Sequence, residues 1–163
     1  MLVYLIKNET YMADDTKKTD QPVDFGILNN LVGYRLRRAQ MNFFSKFSEV
    51  CSDLGISPGL FAIIAIVERN PGLTQTAVAQ ALGNDRSAMV AAVDKLEKMD
   101  ILERRPAIND RRSYALFMTK KGEKFFLTLS ERVMEHEQIM AARLEGDNEL
   151  DWLLKTLDTL SHG

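Results

Sequence analysis

Apolar residues return at steps of three and four from Phe25 to Cys51: Leu28, Val32, Leu36, Ala39, Phe43, Phe47 and Val50. That spacing lines one face of a helix. Ile27, Tyr34 and Met41 make a second apolar line on the opposite side, the pattern expected of a helix that touches both its own core and a second chain. Ser57-Pro58 supplies a capping hydroxyl and then a proline suited to the first helical position, so the apolar run to Val67 predicts a short buried helix that stops at Asn70-Pro71-Gly72. Thr74 caps a further helix, Gln75 to Leu82, closed by Gly83. Another begins near Asp85 and runs to about Met99, with Met89, Val93 and Leu96 inward and Arg86, Ser87, Val90, Ala91, Asp94, Lys95 and Lys98 outward or partly so.

The period then shortens. Ile101 to Arg105 and Ser113 to Met118 read as strands, with Tyr114, Leu116 and Met118 alternating against Ser113, Ala115 and Phe117, and the loop between them contains Pro106, Asn109 and Asp110. Thr119 caps a long helix from about Lys120 to Leu144 that carries Phe126, Leu129, Val133, His136 and Met140 on one stripe. Gly146 separates it from a last helix with Trp152, Leu153, Leu157 and Leu160. Two short helices joined by a Gly-containing turn are a helix-turn-helix. Followed by a hairpin, they predict a mainly α winged helix-turn-helix with a small β wing. The expected divisions are a disordered arm over 1–22, an N-terminal helical segment over 23–55, a DNA-binding lobe over 56–119 and C-terminal helices over 120–163. Met12 is a possible natural start within the polar arm.

Charge sharpens this picture. The net charge of -2 excludes a general polycation, but it averages over two opposed regions. Between Arg104 and Lys124 the basic residues Arg104, Arg105, Arg111, Arg112, Lys120, Lys121 and Lys124 face only Asp110 and Glu123, whereas acidic residues dominate beyond Glu131. One end should attract phosphate and the other repel it. The major groove, about 12 Å wide, admits one helix whose N-terminal residues meet base edges. Arg86 there is able to contact guanine, Ser87 a phosphate or base, and Ala88, Val90 or Ala91 thymine methyl groups. Lys95 is expected nearer the phosphate backbone, and Gln75 joins the set from the preceding helix. Arg111 and Arg112 at the hairpin tip suit the minor groove, with Asp110 orienting the tip.

These segments resemble the MarR family of winged helix-turn-helix regulators. The resemblance covers about residues 25 to 162. It rests on Leu73-Thr74-Gln75-Thr76-Ala77-Val78-Ala79-Gln80-Ala81-Leu82, on Asp94-Lys95-Leu96-Glu97 and Ile101-Leu102-Glu103-Arg104, and on Asp110-Arg111-Arg112 with Met118-Thr119-Lys120-Lys121-Gly122. It implies a homodimer built from the N- and C-terminal helices, a recognition helix over Asp85 to Met99 and a wing over Ile101 to Met118. It also implies a ligand or oxidant that changes the spacing of the two reading lobes. Val90 and Ala91 depart from the polar or basic groups that members often carry. Ile27, Leu31, Trp152, Leu153, Leu157 and Leu160 are the expected dimer contacts, with ordinary intrachain core as the other reading. Two-fold symmetry then predicts a pseudo-palindromic operator with half-sites roughly 10 bp apart.

Tyr34-Arg35-Leu36-Arg37-Arg38-Ala39-Gln40 is similar to the first helix of regulators that answer to hydroxycinnamoyl-CoA thioesters. The resemblance implies an effector that is an aromatic acid or its CoA thioester, held by Tyr34, Arg35, Arg38, Phe43, Phe47 and His136. At about 100° per residue Arg35 and Arg38 lie about 60° apart while Arg37 points elsewhere. The other reading leaves the arginines solvated or bound to DNA phosphate or the partner, and His136 as a core residue. A single cysteine, Cys51, excludes an intramolecular disulfide and suggests the cytoplasm, with an inert core thiol set against a redox sensor. No cofactor, metal site or membrane segment is expected. No catalytic constellation is present, so an enzyme acting on an aromatic thioester is a weaker reading than a regulator. A protein-interaction module is the remaining alternative, separable by the salt dependence of binding.

Overall fold

The computed structural model describes residues 23–107, 113–146 and 148–161. In chain order these form a 3-10 turn Gly26–Asn30, α1 (Val32–Cys51), a 3-10 turn Ser52–Leu54, α2 (Pro58–Arg69), α3 (Gln75–Ala81), α4 (Arg86–Lys98), β1 (Leu102–Pro106), β2 (Tyr114–Met118), α5 (Lys120–Ala141) and α6 (Glu149–Ser161). The winged helix-turn-helix is present as the pattern predicts. Three caps act as the sequence implies, Ser57, Thr74 and Thr119 each accepting a backbone N–H in the first turn of α2, α3 and α5, and Asp85, expected only near the start of α4, does the same for that helix.

One core joins the lobe to the long helices. Ile63, Ile64 and Val67 of α2, Val78 of α3, Met89, Val93 and Leu96 of α4, Leu116 of β2 and Leu129 of α5 are all essentially sealed from solvent, together with Cys51 at the end of α1. The inward stripe of α4 therefore lies where its spacing placed it. Phe47 and Cys51 tie the C-terminal half of α1 to Leu129 and Val133 of α5.

Several expectations change. The first α-helix starts at Val32 rather than Phe25, because Gly26 adopts a left-handed φ of +49° and Leu31 an extended conformation, which confines 26–30 to a tighter turn. Helix α5 ends at Ala141, and Arg143 and Leu144 continue only as turns. Pro106 is the last residue of β1, opposite Tyr114, rather than a loop residue; a strand end tolerates its missing N–H.

The alternation expected along β2 is also lost, since Ala115 and Leu116 are both buried while Tyr114 is 54% exposed. The cause is that helices α2, α3 and α5 all pack around this strand in addition to β1. Gly72 donates to the Leu116 carbonyl at 2.9 Å, Leu116 donates to that of Leu73 at 3.0 Å, and Thr74 bridges Ala115, so β2 is covered on both edges. Gly72 has φ +87°, and a Cβ there would come 3.3 Å from the Phe117 ring. Among the described residues no single helix is long and apolar enough to cross a membrane.

Candidate nucleic-acid interface

Asp85 opens α4 by accepting the Ala88 N–H at 2.8 Å and the Ser87 hydroxyl at 2.6 Å. These hydrogen bonds, Ser87 first, hold the Asp85 carboxyl below the usual carboxylate range. Arg86, Ser87, Ala88, Val90 and Ala91 are then exposed along the first two turns. The expected reading face is thus one continuous outward strip, although the Ser87 hydroxyl already serves the cap.

Beside that strip stands Arg104, a residue outside the expected contact set. Arg104 on β1 donates through Nε to Gln75 Oε1 at 2.9 Å and through a guanidinium nitrogen to Asp94 at 2.7 Å, and it pairs closely with Glu97. Its own N–H donates to Glu97 at 2.9 Å. With its side chain only 16% exposed, this guanidinium joins α3, α4 and the wing. A forked, rigid donor set suits such a junction better than an ammonium would. The available signal was an i, i+3 pair of acids, Asp94 and Glu97, on an otherwise basic surface. A cleft of about 650 Å³ lies between α3, α4 and the wing, lined by Gln75, Arg86, Val90, Asp94, Arg104 and Tyr114 among others.

Two of the expected contact residues are engaged within the chain. Gln75 has its carbonyl oxygen engaged by Arg104. Lys95, expected at phosphate, donates to the Gly55 carbonyl at 2.8 Å. Asp110, Arg111 and Arg112 lie outside the described residues. Nearer the body of the hairpin, the Arg105 guanidinium sits 4.3 Å above the Phe117 ring and pairs with Glu103.

The residues expected to hold an effector fall into two groups. Tyr34 and Arg38 gather on Phe25: the Arg38 guanidinium stands 4.9 Å over its ring, and the Tyr34 ring is 6.0 Å away. Arg35 donates to the Asn29 carbonyl at 2.7 Å. Phe43, Phe47 and His136 form the other group, each phenyl ring 6.2 Å from the imidazole and nearly perpendicular to it. Phe47 and His136 are 6% and 4% exposed, so both are core residues. His136 Nε2 has no hydrogen-bond partner among the described residues. Arg38 and Phe47 are separated by a helical rise of about 13 Å, and only an elongated ligand would reach both groups. A smaller cleft of about 280 Å³ between α1 and α5 includes Lys46, Glu49, Arg132, His136 and Arg143 in its lining.

Arg132 of α5 makes two bonds of 2.9 Å to Asp53, and this hydrogen-bonded pairing holds the Asp53 carboxyl below its ordinary range. Burial pushes the Cys51 thiol up, with Arg132 pulling against it. No group of three or more metal-ligating side chains gathers among the described residues. Of the apolar residues expected at a dimer contact, Ile27, Leu31, Trp152, Leu157 and Leu160 are exposed and Leu153 is half-buried in the single chain. Helix α6 buries none of its residues.

Comparison with known proteins agrees with this architecture. Residues 54–113 match the MarR family. A protein assigned as transcriptional regulator for the hcr operon of Thauera aromatica is 35% identical over 136 residues, 83% of this chain and 81% of that one. The transcriptional repressor CouR bound to a 23-mer DNA duplex superposes with a TM-score of 0.82 at 32% identity, over 87% of this chain and 100% of CouR. CouR bound to p-coumaroyl-CoA gives 0.78 at 31% identity, over 86% and 99% of the two chains. The chain belongs to the MarR family and is a transcriptional regulator of the MarR type.

Proposed function

We propose that this protein is a homodimeric, ligand-released repressor of genes for the breakdown of aromatic, phenylpropenoid-type compounds, with an aromatic acyl-CoA thioester or its acid as effector. The observation that carries the reading is the exposed set Arg86, Ser87, Ala88, Val90 and Ala91, held beside the wing by Arg104, in a chain that superposes on DNA-bound CouR. Residues 56–119 form the reading lobe, while 23–55 and 120–163 supply dimer contacts through exposed Ile27 and Leu31 just ahead of α1 and the apolar residues Trp152, Leu153, Leu157 and Leu160 of α6. A lone chain would leave an unusually large apolar surface in water. Such a regulator works in the cytoplasm, where its operator lies.

The effector is an elongated anion. Arg35 and Arg38 take its phosphates, and the aromatic group goes toward Phe43, Phe47 and His136. CouR's complex with p-coumaroyl-CoA supports this class of ligand. Release is a population shift, so the effector binds the DNA-incompetent form more tightly. A ligand is favoured over an oxidant, because Cys51 is fully buried and burial raises its thiol pKa, the condition in which cysteine is least reactive.

The test is fluorescence anisotropy on the protein's own promoter DNA, with competitor, titrated with aromatic acids and their CoA thioesters. Tight, salt-sensitive binding released by one compound class is expected, since phosphate contacts release counterions. Replacing Arg35 and Arg38 together by alanine should weaken the thioester by roughly tenfold or more; unchanged affinity would sink the effector assignment, and salt-insensitive association would point to a docking module.

A further inference from the structure

Lys95 lies in the third turn of α4, and its ammonium is drawn back onto the protein by the 2.8 Å bond to the Gly55 carbonyl, forty residues away in sequence. Gly55 closes the 3-10 turn Ser52–Leu54 in a left-handed conformation, φ +65°, and its N–H returns to the Ser52 carbonyl at 3.0 Å. Asp53, in the same turn, is clamped by the two 2.9 Å bonds from Arg132 of α5. A single short turn between α1 and α2 is therefore tied to α5 by an ion pair and to α4 by an ammonium–carbonyl bond. Gly55 suits the joint, since its φ disfavours any side chain.

We propose that Lys95 is a positioning residue for DNA recognition rather than a phosphate contact: by fixing α4 to the turn 52–55 it sets the direction in which Arg86 to Ala91 are presented. The Arg132–Asp53 pair holds the turn itself, so α5 and α4 are joined by a polar string running through Asp53, Gly55 and Lys95. This rests on the proposal that α4 reads the operator.

The experiment compares wild type, Lys95→Met, Lys95→Arg and Asp53→Asn on operator and random duplexes over a series of salt concentrations. Lys95→Met keeps the apolar stem and removes the donor. It should leave the slope of log affinity against log salt unchanged and lower the operator-to-random ratio by roughly 3- to 10-fold. Lys95→Arg should restore most of the ratio, and Asp53→Asn should reproduce the loss. A slope shallower by about 0.9 in Lys95→Met would mark a lost phosphate contact and overturn the proposal, as would an unchanged ratio.

Hydrogen–deuterium exchange on the free proteins gives an arm independent of DNA. Amides of residues 52–55 and of α4 should exchange faster in Lys95→Met, and equal exchange overturns the positioning role. If wild type itself fails to distinguish operator from random DNA, the assignment of α4 as base reader fails, and exchange alone decides whether Lys95 positions that helix.

Discussion

Gly122 lies so close to Ile101 that a Cβ at position 122 would stand 2.1 Å from the Ile101 carbonyl oxygen. The same oxygen accepts the Thr119 N–H at 3.0 Å. The Thr119 hydroxyl donates to the Asp100 carbonyl at 2.7 Å and accepts the Gly122 N–H at 2.9 Å. The start of α5 and the end of α4 thus share one small hydrogen-bonded joint, and backbone rather than a flexible side chain occupies the space a larger residue would need. Gly122→Ala should destabilise the protein by about 3 kcal/mol, as overpacking against unyielding atoms does. Thermal unfolding should show Tm lowered by roughly 6 to 12 °C.

Arg104→Met should uncouple the wing from the recognition helix. The change leaves Asp94 and Glu97 without their shared cation and Gln75 without its donor. Because both carboxylates keep partial access to water, the loss should be about 2 kcal/mol rather than that of a fully buried pair. Urea denaturation measures it, and operator anisotropy should show weaker binding in the same variant.

Asp53 predicts an acid-side dependence of stability. Its folded pKa is depressed by Arg132 below the ordinary 3.8. At neutral pH the carboxyl is ionised in both states, and the pairing contributes in full. As pH falls below the unfolded value, the unfolded chain takes up the proton first, so the contribution drains away through the folded pKa. Asp53→Asn should therefore lower Tm relative to wild type at pH 7, with the gap closing in the strongly acid range. Asp85, depressed by Ser87 and the Ala88 N–H, should behave in the same direction. A gap that widens on acidification would contradict both.

His136→Phe should stabilise the free protein. Nε2 is buried against the Phe43 and Phe47 rings with no partner among the described residues, and an unsatisfied buried polar atom costs about 1 kcal/mol or more. Tm should rise by roughly 2 to 4 °C. If the effector's aromatic group uses this imidazole, thioester-driven release from the operator should weaken in the same variant. A fall in Tm would show instead that the ring makes a polar contact the wild-type packing needs.

The local code of this chain was legible because it is written in short-range chemistry. Ser57, Thr74, Asp85 and Thr119 are oxygen-bearing residues just ahead of helical periodicity, and each caps its helix. Met89, Val93 and Leu96 recur at helical spacing, and that spacing alone turns them inward. Where neighbours come from afar, the reading failed. The alternation along β2 gave way because α2, α3 and α5, drawn from distant parts of the chain, pack around that strand.

From sequence alone came the helix-turn-helix, the hairpin, the basic lobe and acidic tail, and the family resemblance, all carried by periodicity, caps and motifs within a few turns of chain. Only the tertiary structure placed Arg104 on Gln75, Asp94 and Glu97, drew Lys95 onto Gly55 rather than leaving it free, and parted Tyr34, Arg35 and Arg38 from Phe43, Phe47 and His136. The physical reason is reach: a cap or stripe is decided by residues one turn away, whereas the partner of a long cationic side chain depends on which distant backbone or carboxylate the packed core delivers to it.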